Sequence, residues 1–594
     1  MSVPIAFTYG NCVFADGLTD AWAAFAVDTT SYRWLSQEGK RARFLALLGA
    51  LEASAADLQI LRVASCADPR GEGDELDAAS RESGRLHRRA RQGYVAEHAR
   101  RLRELGSARA ALFVFVSLRE PERDVASYVS GLAERGLGDW WGALRGAFSM
   151  RDRGMLKVSE LEKARVRADQ AHARLSDYLP VREARGVELQ WLVRRAFCRG
   201  VGEPTVDGLH EPRALVFERN GEAMLAPLEG DVMRWADSSV EDRGRLLRID
   251  SELGTSWQAQ LVLGALPEQA PFPGARAELM FAPPESLPFP VDLSLNARHL
   301  PNDLALRIAR RRVQDADQIV RAESDGEQGV SDAGYVRTQE ARDLLAYLQT
   351  TSRPPLLRAT IAIAVAGENQ QQLEQRIEMC RRAYGEVRLH RPLGDQLELF
   401  LQHLPGQRTR VAGYDDTLTT EQVAAMMPTG AHQAGSSGGF YLGWTLSGSR
   451  RPVRFNLREG SDSDRNTTVL SVGALGSGKT TLDQKLKYEA FLLGARVIDC
   501  DPKGDHRFHL LDDVAPHAEC VTLRPDPALR GVLDPLKVAP EHLRQDAAVS
   551  FLRDLLPRRA EPAWETAIVG AVDRVLTRSR EPTCLEIVRA LGAG

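Results

Sequence analysis

The chain has 594 residues, 43% of them apolar, enough for three to five structural units with full cores. A formal net charge of −4 leaves no global basic footprint for nucleic acid, and seven dispersed cysteines without a C-x-x-C pair argue against a disulfide scaffold or zinc ribbon and for reduced, mostly buried thiols. The N-terminus lacks a basic segment followed by a long apolar core, and the longest apolar runs, 110–118 and 359–366, are too short to span a bilayer, so the expectation is a cytoplasmic protein, at most peripheral to a membrane.

Aromatic and β-branched runs predict strands at 21–26 and 31–35, followed by an amphipathic helix at 38–51 and a short strand at 58–63. An arginine-rich helix is expected over 79–105 and an apolar strand over 110–118. This β, α, β, α, β succession points to an N-terminal α/β domain over 1–150. A middle helical plus α/β (or α+β) domain over 151–410 opens with helices at 156–178 and 187–198. Their basic residues are interleaved with acidic ones and read as solvated surface. Trp140, Trp141 and Trp191 read as core rather than as stacking platforms. Strands are expected at 245–250, 257–263 and 275–280, closed by the proline-punctuated run 287–292. Helices follow at 302–323 and 335–349, then a strand at 357–365, a helix at 371–384 and a strand at 396–403. Residues 411–447 shift to Gly, Ser and Thr, with G-S-S-G-G at 435–439, and read as a linker entering a hairpin of 440–444 and 453–456.

Within the remaining stretch, 448–594, Gly473, Ala474, Leu475, Gly476, Ser477, Gly478, Lys479 and Thr480, followed by Thr481, read G-x-x-x-x-G-K-[ST]. Glycines let the backbone fold tightly around phosphate oxygens, the lysine reaches the β- and γ-phosphates, and the threonine hydroxyl can ligate Mg²⁺. The β-branched run 466–472 predicts a buried parallel strand before the loop. After it, 479–493 predicts a helix with Leu482, Leu486, Ala490 and Leu493 on one face, stopped by Gly494. The chain has eight lysines against sixty-nine arginines, so a lysine at 479 stands out. A compact ammonium suits the inside of a phosphate loop better than a planar guanidinium. ATP with Mg²⁺ is the expected ligand.

A second parallel strand is expected at 495–500, ending in Asp501-Pro502-Lys503-Gly504-Asp505. Carboxylates there lie on the ligand face of an open α/β sheet, with Asp501 a candidate for Mg²⁺ and Asp505 for positioning water. The same residues also suit an Asx-type turn. His506 and His509 have the spacing of a metal pair but lack further ligands. Beyond them the pattern gives a strand at 520–523 and helices at 541–556, 564–576 and 584–591. No apolar run ending in Asp follows Thr480: the nearest, 549–554, is broken by Arg553 within a helix pattern. The expectation is a partial nucleotide domain, C-terminally truncated with its sheet unfinished, that binds ATP and hydrolyses it slowly or not at all.

These residues resemble the VirB-four-like (TraC/TrbE-type) ATPases of type IV secretion and conjugation. The resemblance rests on G-A-L-G-S-G-K-T-T at 473–481, V-I-D-C-D-P-K-G-D at 497–505 and G-V-L-D-P-L at 531–536. It extends to the hairpin F-Y-L-G-W…R-P-V-R-F, S-Y-R-W-L at 31–35 and F-P-G at 272–274, and it is more specific over 438–540 than over the first 410 residues. It implies an incomplete RecA-like P-loop NTPase domain after the N-terminal α/β (α+β) region, and a motor that oligomerises, usually as a hexamer. Such a motor works with other secretion components at the cytoplasmic face of the inner membrane, driving pilus assembly or substrate transfer. FtsK/HerA-type translocases and coupling proteins share the loop and a similar D-P-K-G element, although coupling proteins generally carry N-terminal membrane helices. A non-hydrolysing ATP-binding scaffold is a reading from another class. Nucleic-acid binding is expected to be weak or absent, since no basic stripe with interleaved aromatics stands out.

Overall fold

A computed structural model describes residues 3–592, apart from 16–17, 19, 66–75, 79, 81, 105–108, 120–154, 207, 229, 265, 267–270, 325–331, 412, 433, 437, 447–450, 463–467, 523, 525 and 558–561. Trp140, Trp141 and the expected domain end near 150 lie outside the described residues. The chain divides into two compact units, Met1–Pro502 and Lys503–Gly594.

The larger unit is mixed α/β around a 13-stranded sheet whose pairings are antiparallel. Ten strands form its main path: β1 (Ile5–Tyr9), β2 (Cys12–Ala15), β3 (Ala21–Val27), β4 (Leu58–Ser65), β5 (Arg109–Ser117), β6 (Ser238–Asp242), β7 (Leu247–Ser251), β8 (Gly254–Leu263), β9 (Asp292–Leu300) and β10 (Leu356–Gly367). Their spatial order is β1-β2-β3-β5-β4-β9-β10-β8-β7-β6. The two halves join where β4 pairs with β9, Leu58 opposite Ala297 and Arg62 opposite Leu293, so strands from 1–150 and 151–410 share one sheet. Three short strands extend it: Val181–Glu183 on β3, Leu389–His390 on β8 and Asp416–Thr419 on β10.

The longer helices that accompany the sheet among the described residues are α1 (Gln37–Ser54), α2 (Arg88–Glu104), α3 (Val158–Ser176), α4 (Gly186–Phe197), α5 (Asn302–Ser324), α6 (Asp332–Leu348), α7 (Gln370–Tyr384) and α8 (Gln396–Gln402). Both sheet faces are covered. On one, α1, α3 and α7 bury Leu51, Leu161 and Ile377 with Phe25, Leu261 and Ile361 of the strands. On the other, α4 and α8 bury Val193 and Phe400 with Trp22, Leu61 and Phe115. Because side chains alternate along a strand, β9 turns Leu293 and Leu295 to the first face and Asp292, Ser294 and Asn296 to the second. Those polar groups are all satisfied. Arg195 pairs with Asp292, Arg199 Nε donates to its Oδ2 at 2.6 Å, and Asn296 Nδ2 donates to Gln407 O at 2.6 Å.

Several expected elements differ. Residues 31–35 are no strand beyond a short parallel pairing of Thr30–Ser31 with Gly430–Ala431. The chain turns there, and the buried Tyr32 hydroxyl donates to Glu278 at 2.6 Å. Residues 275–280 form turns, and β9 arises instead at Asp292–Leu300. The strand expected at 396–403 is the helix α8, whose Gln396 side chain accepts from Gln260 N at 2.7 Å and so joins helix to sheet. Among the described residues, Cys12, Cys198, Cys380 and Cys584 are buried, while Cys500 and Cys520 are exposed.

The hairpin β11 (Phe440–Trp444) and β12 (Pro452–Phe455) forms as expected. It is anchored by a buried ion triad, in which Arg62 pairs with Glu285 and Arg451 Nε donates to Glu285 Oε2 at 3.0 Å. The smaller unit packs Leu552, Ile568, Val572 and Ile587 from its helices into one core. No helix among the described residues is long and apolar enough to cross a membrane.

Candidate nucleotide site

The loop before Lys479 is shaped by glycines. Gly476 and Gly478 take φ of +77° and +87°, left-handed conformations that a side chain disfavours. A Cβ on Gly473 would meet Ser477 Oγ at 2.5 Å. Ser477 N donates to Ala474 O at 3.2 Å, closing the turn. Gly478 caps the helix α9 (Lys479–Leu492), whose first amides face the loop without intrahelical partners. Lys479 Nζ folds back and donates to Gly473 O and Ala474 O, each at 2.7 Å. A glycine-rich loop, a helix N-terminus and an ammonium converge, which is the donor set a polyphosphate needs. The residues fit the group that the sequence implies. Thr480 and Thr481 open the helix beside Lys479.

The strands expected to flank the loop do not form. Residues 468–472 and 495–500 carry no regular secondary structure, while 466–467 lie outside the described residues. Leu470, Val472 and Ile498 are 83%, 84% and 78% exposed. A parallel strand has no local hydrogen-bond partner and exists only against neighbouring strands. Residues 520–522 are likewise not a strand. Asp501 stands half-buried at the end of the larger unit, and Asp505 is exposed in the smaller one. His506 Nε2 lies 3.9 Å from Asp505 Oδ1.

What holds α9 is a joint that the sequence reading did not identify. Of the expected apolar face, Leu482, Leu486 and Ala490 are half-buried and Leu493 is buried, while Glu489 and Leu492, outside that face, are fully buried. Leu492 and Leu493 share a small core with Val95 of α2 and Phe440 of β11. Glu489 pairs with Lys485, accepts from the Tyr94 hydroxyl at 3.1 Å, and has its carboxyl pKa raised by burial against the opposing ammonium. Lys485 Nζ also donates to Tyr441 O at 2.7 Å. His98 packs on Tyr94 and Tyr441, with ring centroids 4.3 and 5.2 Å away, and burial together with the Lys485 charge lowers its pKa to about 4. Lys487 Nζ bridges Asp483 and Asp499, the latter at 2.5 Å. One signal was available in the sequence: three of the eight lysines, 479, 485 and 487, fall on this single helix.

In the smaller unit the G-V-L-D-P-L element has a structural role. Asp534 Oδ1 accepts from Leu536 N at 3.0 Å and Oδ2 from Cys584 N at 2.8 Å, so one carboxylate caps two helix starts.

Residues 457–593 match the family model of the AAA-like domain, a nucleotide-binding domain related to the P-loop ATPases. No curated protein matches the chain.

Proposed function

We propose that this chain is the ATP-binding component of a VirB-four-like motor, energising pilus assembly or substrate transfer in a type IV secretion or conjugation apparatus through a RecA-like P-loop domain. The observation that supports this most is the phosphate loop, with two left-handed glycines, a Gly473 whose Cβ would crowd the Ser477 hydroxyl, and Lys479 turned inward at the head of α9. It lies within the residues that match an AAA-like domain. Residues 473–481 would hold ATP, with Thr480 and Asp501 on Mg²⁺ and Asp505 orienting water. Bound ATP would supply the phosphoanhydride whose cleavage drives a motor. The protein would act as a homo-oligomer, a hexamer by resemblance, with other secretion components at the cytoplasmic face of the inner membrane.

The test is titration of a fluorescent, non-hydrolysable ATP analogue with Mg²⁺. Lys479→Ala removes a charge-assisted contact, so affinity should fall about tenfold or more with circular dichroism unchanged. Equal affinity in both proteins would sink the site.

A second reading, a domain that binds ATP and turns it over slowly or not at all, is favoured because no described residue after Thr480 lies in a strand. A phosphate-loop motor uses acidic groups to hold Mg²⁺ and orient water, commonly from a second strand. Phosphate release from the purified chain should stay below about 1 s⁻¹. Faster Mg²⁺-dependent turnover would restore the motor reading alone.

A further inference from the structure

The helix that carries the phosphate loop is held at its far end. Its C-terminus closes with a Schellman motif: Ala495 N donates to Ala490 O at 3.0 Å and Gly494 N to Phe491 O at 2.8 Å, with Gly494 at φ +80°. That leaves the carbonyl of Leu492, and Arg91 of α2 takes it, Nη1 donating at 2.6 Å and also to Gly84 O at 3.0 Å. Arg91 is 1% exposed, and its charge is met by Asp77, which accepts from Nε at 2.8 Å. The contact leaves no slack. A Cβ on Gly84 would lie 2.8 Å from the Leu493 carbonyl carbon and 3.0 Å from Gly494 N, so the two backbones touch. His87 stacks on Phe491 with ring centroids 4.2 Å apart, and Tyr94 meets Tyr488 edge-on at 5.6 Å.

By contrast, residues 468–478 are exposed and stand in no sheet. The loop is therefore positioned through α9, a rod of 14 residues, about 21 Å long, whose C-terminal half is fixed. A guanidinium at the negative end of the helix dipole also complements the anion site at its positive end. We infer that Arg91 is a positioning residue for the nucleotide site: it locks the C-terminus of the loop-bearing helix onto α2, so that nucleotide at Lys479 and order at the Gly84–Arg91 contact are energetically coupled. This rests on the nucleotide reading above. Because such coupling is reciprocal, ligand at the loop must tighten the distant contact as much as the contact tightens the loop.

Hydrogen–deuterium exchange on the full chain, with and without a non-hydrolysable ATP analogue and Mg²⁺, reads both ends at once. In the wild type, nucleotide should slow exchange at the loop and also at amides 84–94 and 490–495. Arg91→Met should weaken analogue binding about fivefold or more and abolish the distant protection. Arg91→Lys, which can still donate to both carbonyls, should recover part of each. Gly84→Ala keeps every charge but forces the backbones apart, and should repeat the Arg91→Met result in a folded protein, as judged by its thermal melt. Loop protection without distant protection in the wild type, or unchanged affinity in both Arg91→Met and Gly84→Ala, overturns the coupling. Absence of loop protection in the wild type overturns the nucleotide reading, and the coupling with it.

Discussion

Two buried carboxylates of the larger unit, Asp292 and Glu285, each sit between a pair of arginines, and each makes a definite demand. Asp292 sits between Arg195 and Arg199 with essentially no exposure, and Ala64 N donates to its other oxygen at 3.1 Å. Burial pushes its pKa up, but the two guanidiniums outweigh this and hold it at about 2, against an ordinary 3.8. A carboxylate depressed in the folded state contributes stability that is present above its unfolded pKa and lost as pH falls through the folded one. The expected loss is about 2 kcal/mol between about pH 4 and pH 2, read by carbon NMR of the carboxyl, and titration near 4 would contradict the triad. Asp292→Asn keeps the shape but removes the buried counter-charge of Arg199 and leaves Arg195 with Glu203, 3.9 Å from its Nε. It should cost about 3–5 kcal/mol in denaturant unfolding, and a cost under about 1 kcal/mol would show that solvent already reaches the arginines.

At the scale of elements, what was legible in the sequence is what local chemistry decides. The loop glycines, the start of α9 at Lys479 and its stop near Gly494 follow from φ preferences and helix periodicity, and all appear in place. β9 was missed because its alternate residues Asp292, Ser294 and Asn296 look solvent-facing, yet they meet partners as distant in sequence as Arg195 and Gln407. In α8 the short run Q-L-E-L-F-L-Q suits helix or strand by pattern, and packing over the sheet decides for helix. The opposite error occurs at 468–472, where β-branched composition calls for a strand that only neighbouring strands could complete. An exposed apolar segment of this kind predicts association rather than stability. Leu470→Asp should therefore shift unfolding free energy by no more than about 0.5 kcal/mol while reducing aggregation in light scattering. Destabilisation beyond about 2 kcal/mol would mean that Leu470 is buried in solution.

Over the whole molecule, the arginine content raises the question of whether the chain grips nucleic acid, as a DNA translocase would. We expect that it does not, because a number of the described arginines are already paired with carboxylates. On the surface, Arg100 is matched by Glu97 and Glu104, Arg182 by Glu188, Arg194 by Glu252, and Arg391 by Glu374. In the interior, Arg62, Arg91, Arg195, Arg199 and Arg451 are committed to Asp77, Asp292 and Glu285. Cations already neutralised by carboxylates release few counterions from a phosphate backbone, and with a net charge of −4 there is no long-range field to gather one. Fluorescence anisotropy at about 0.15 M salt should then give dissociation constants weaker than about 10 µM for both single- and double-stranded oligonucleotides, with a shallow salt dependence. A submicromolar affinity that falls steeply with salt would transfer the chain to the translocase reading, and the phosphate loop would then serve movement along DNA rather than assembly of a secretion apparatus.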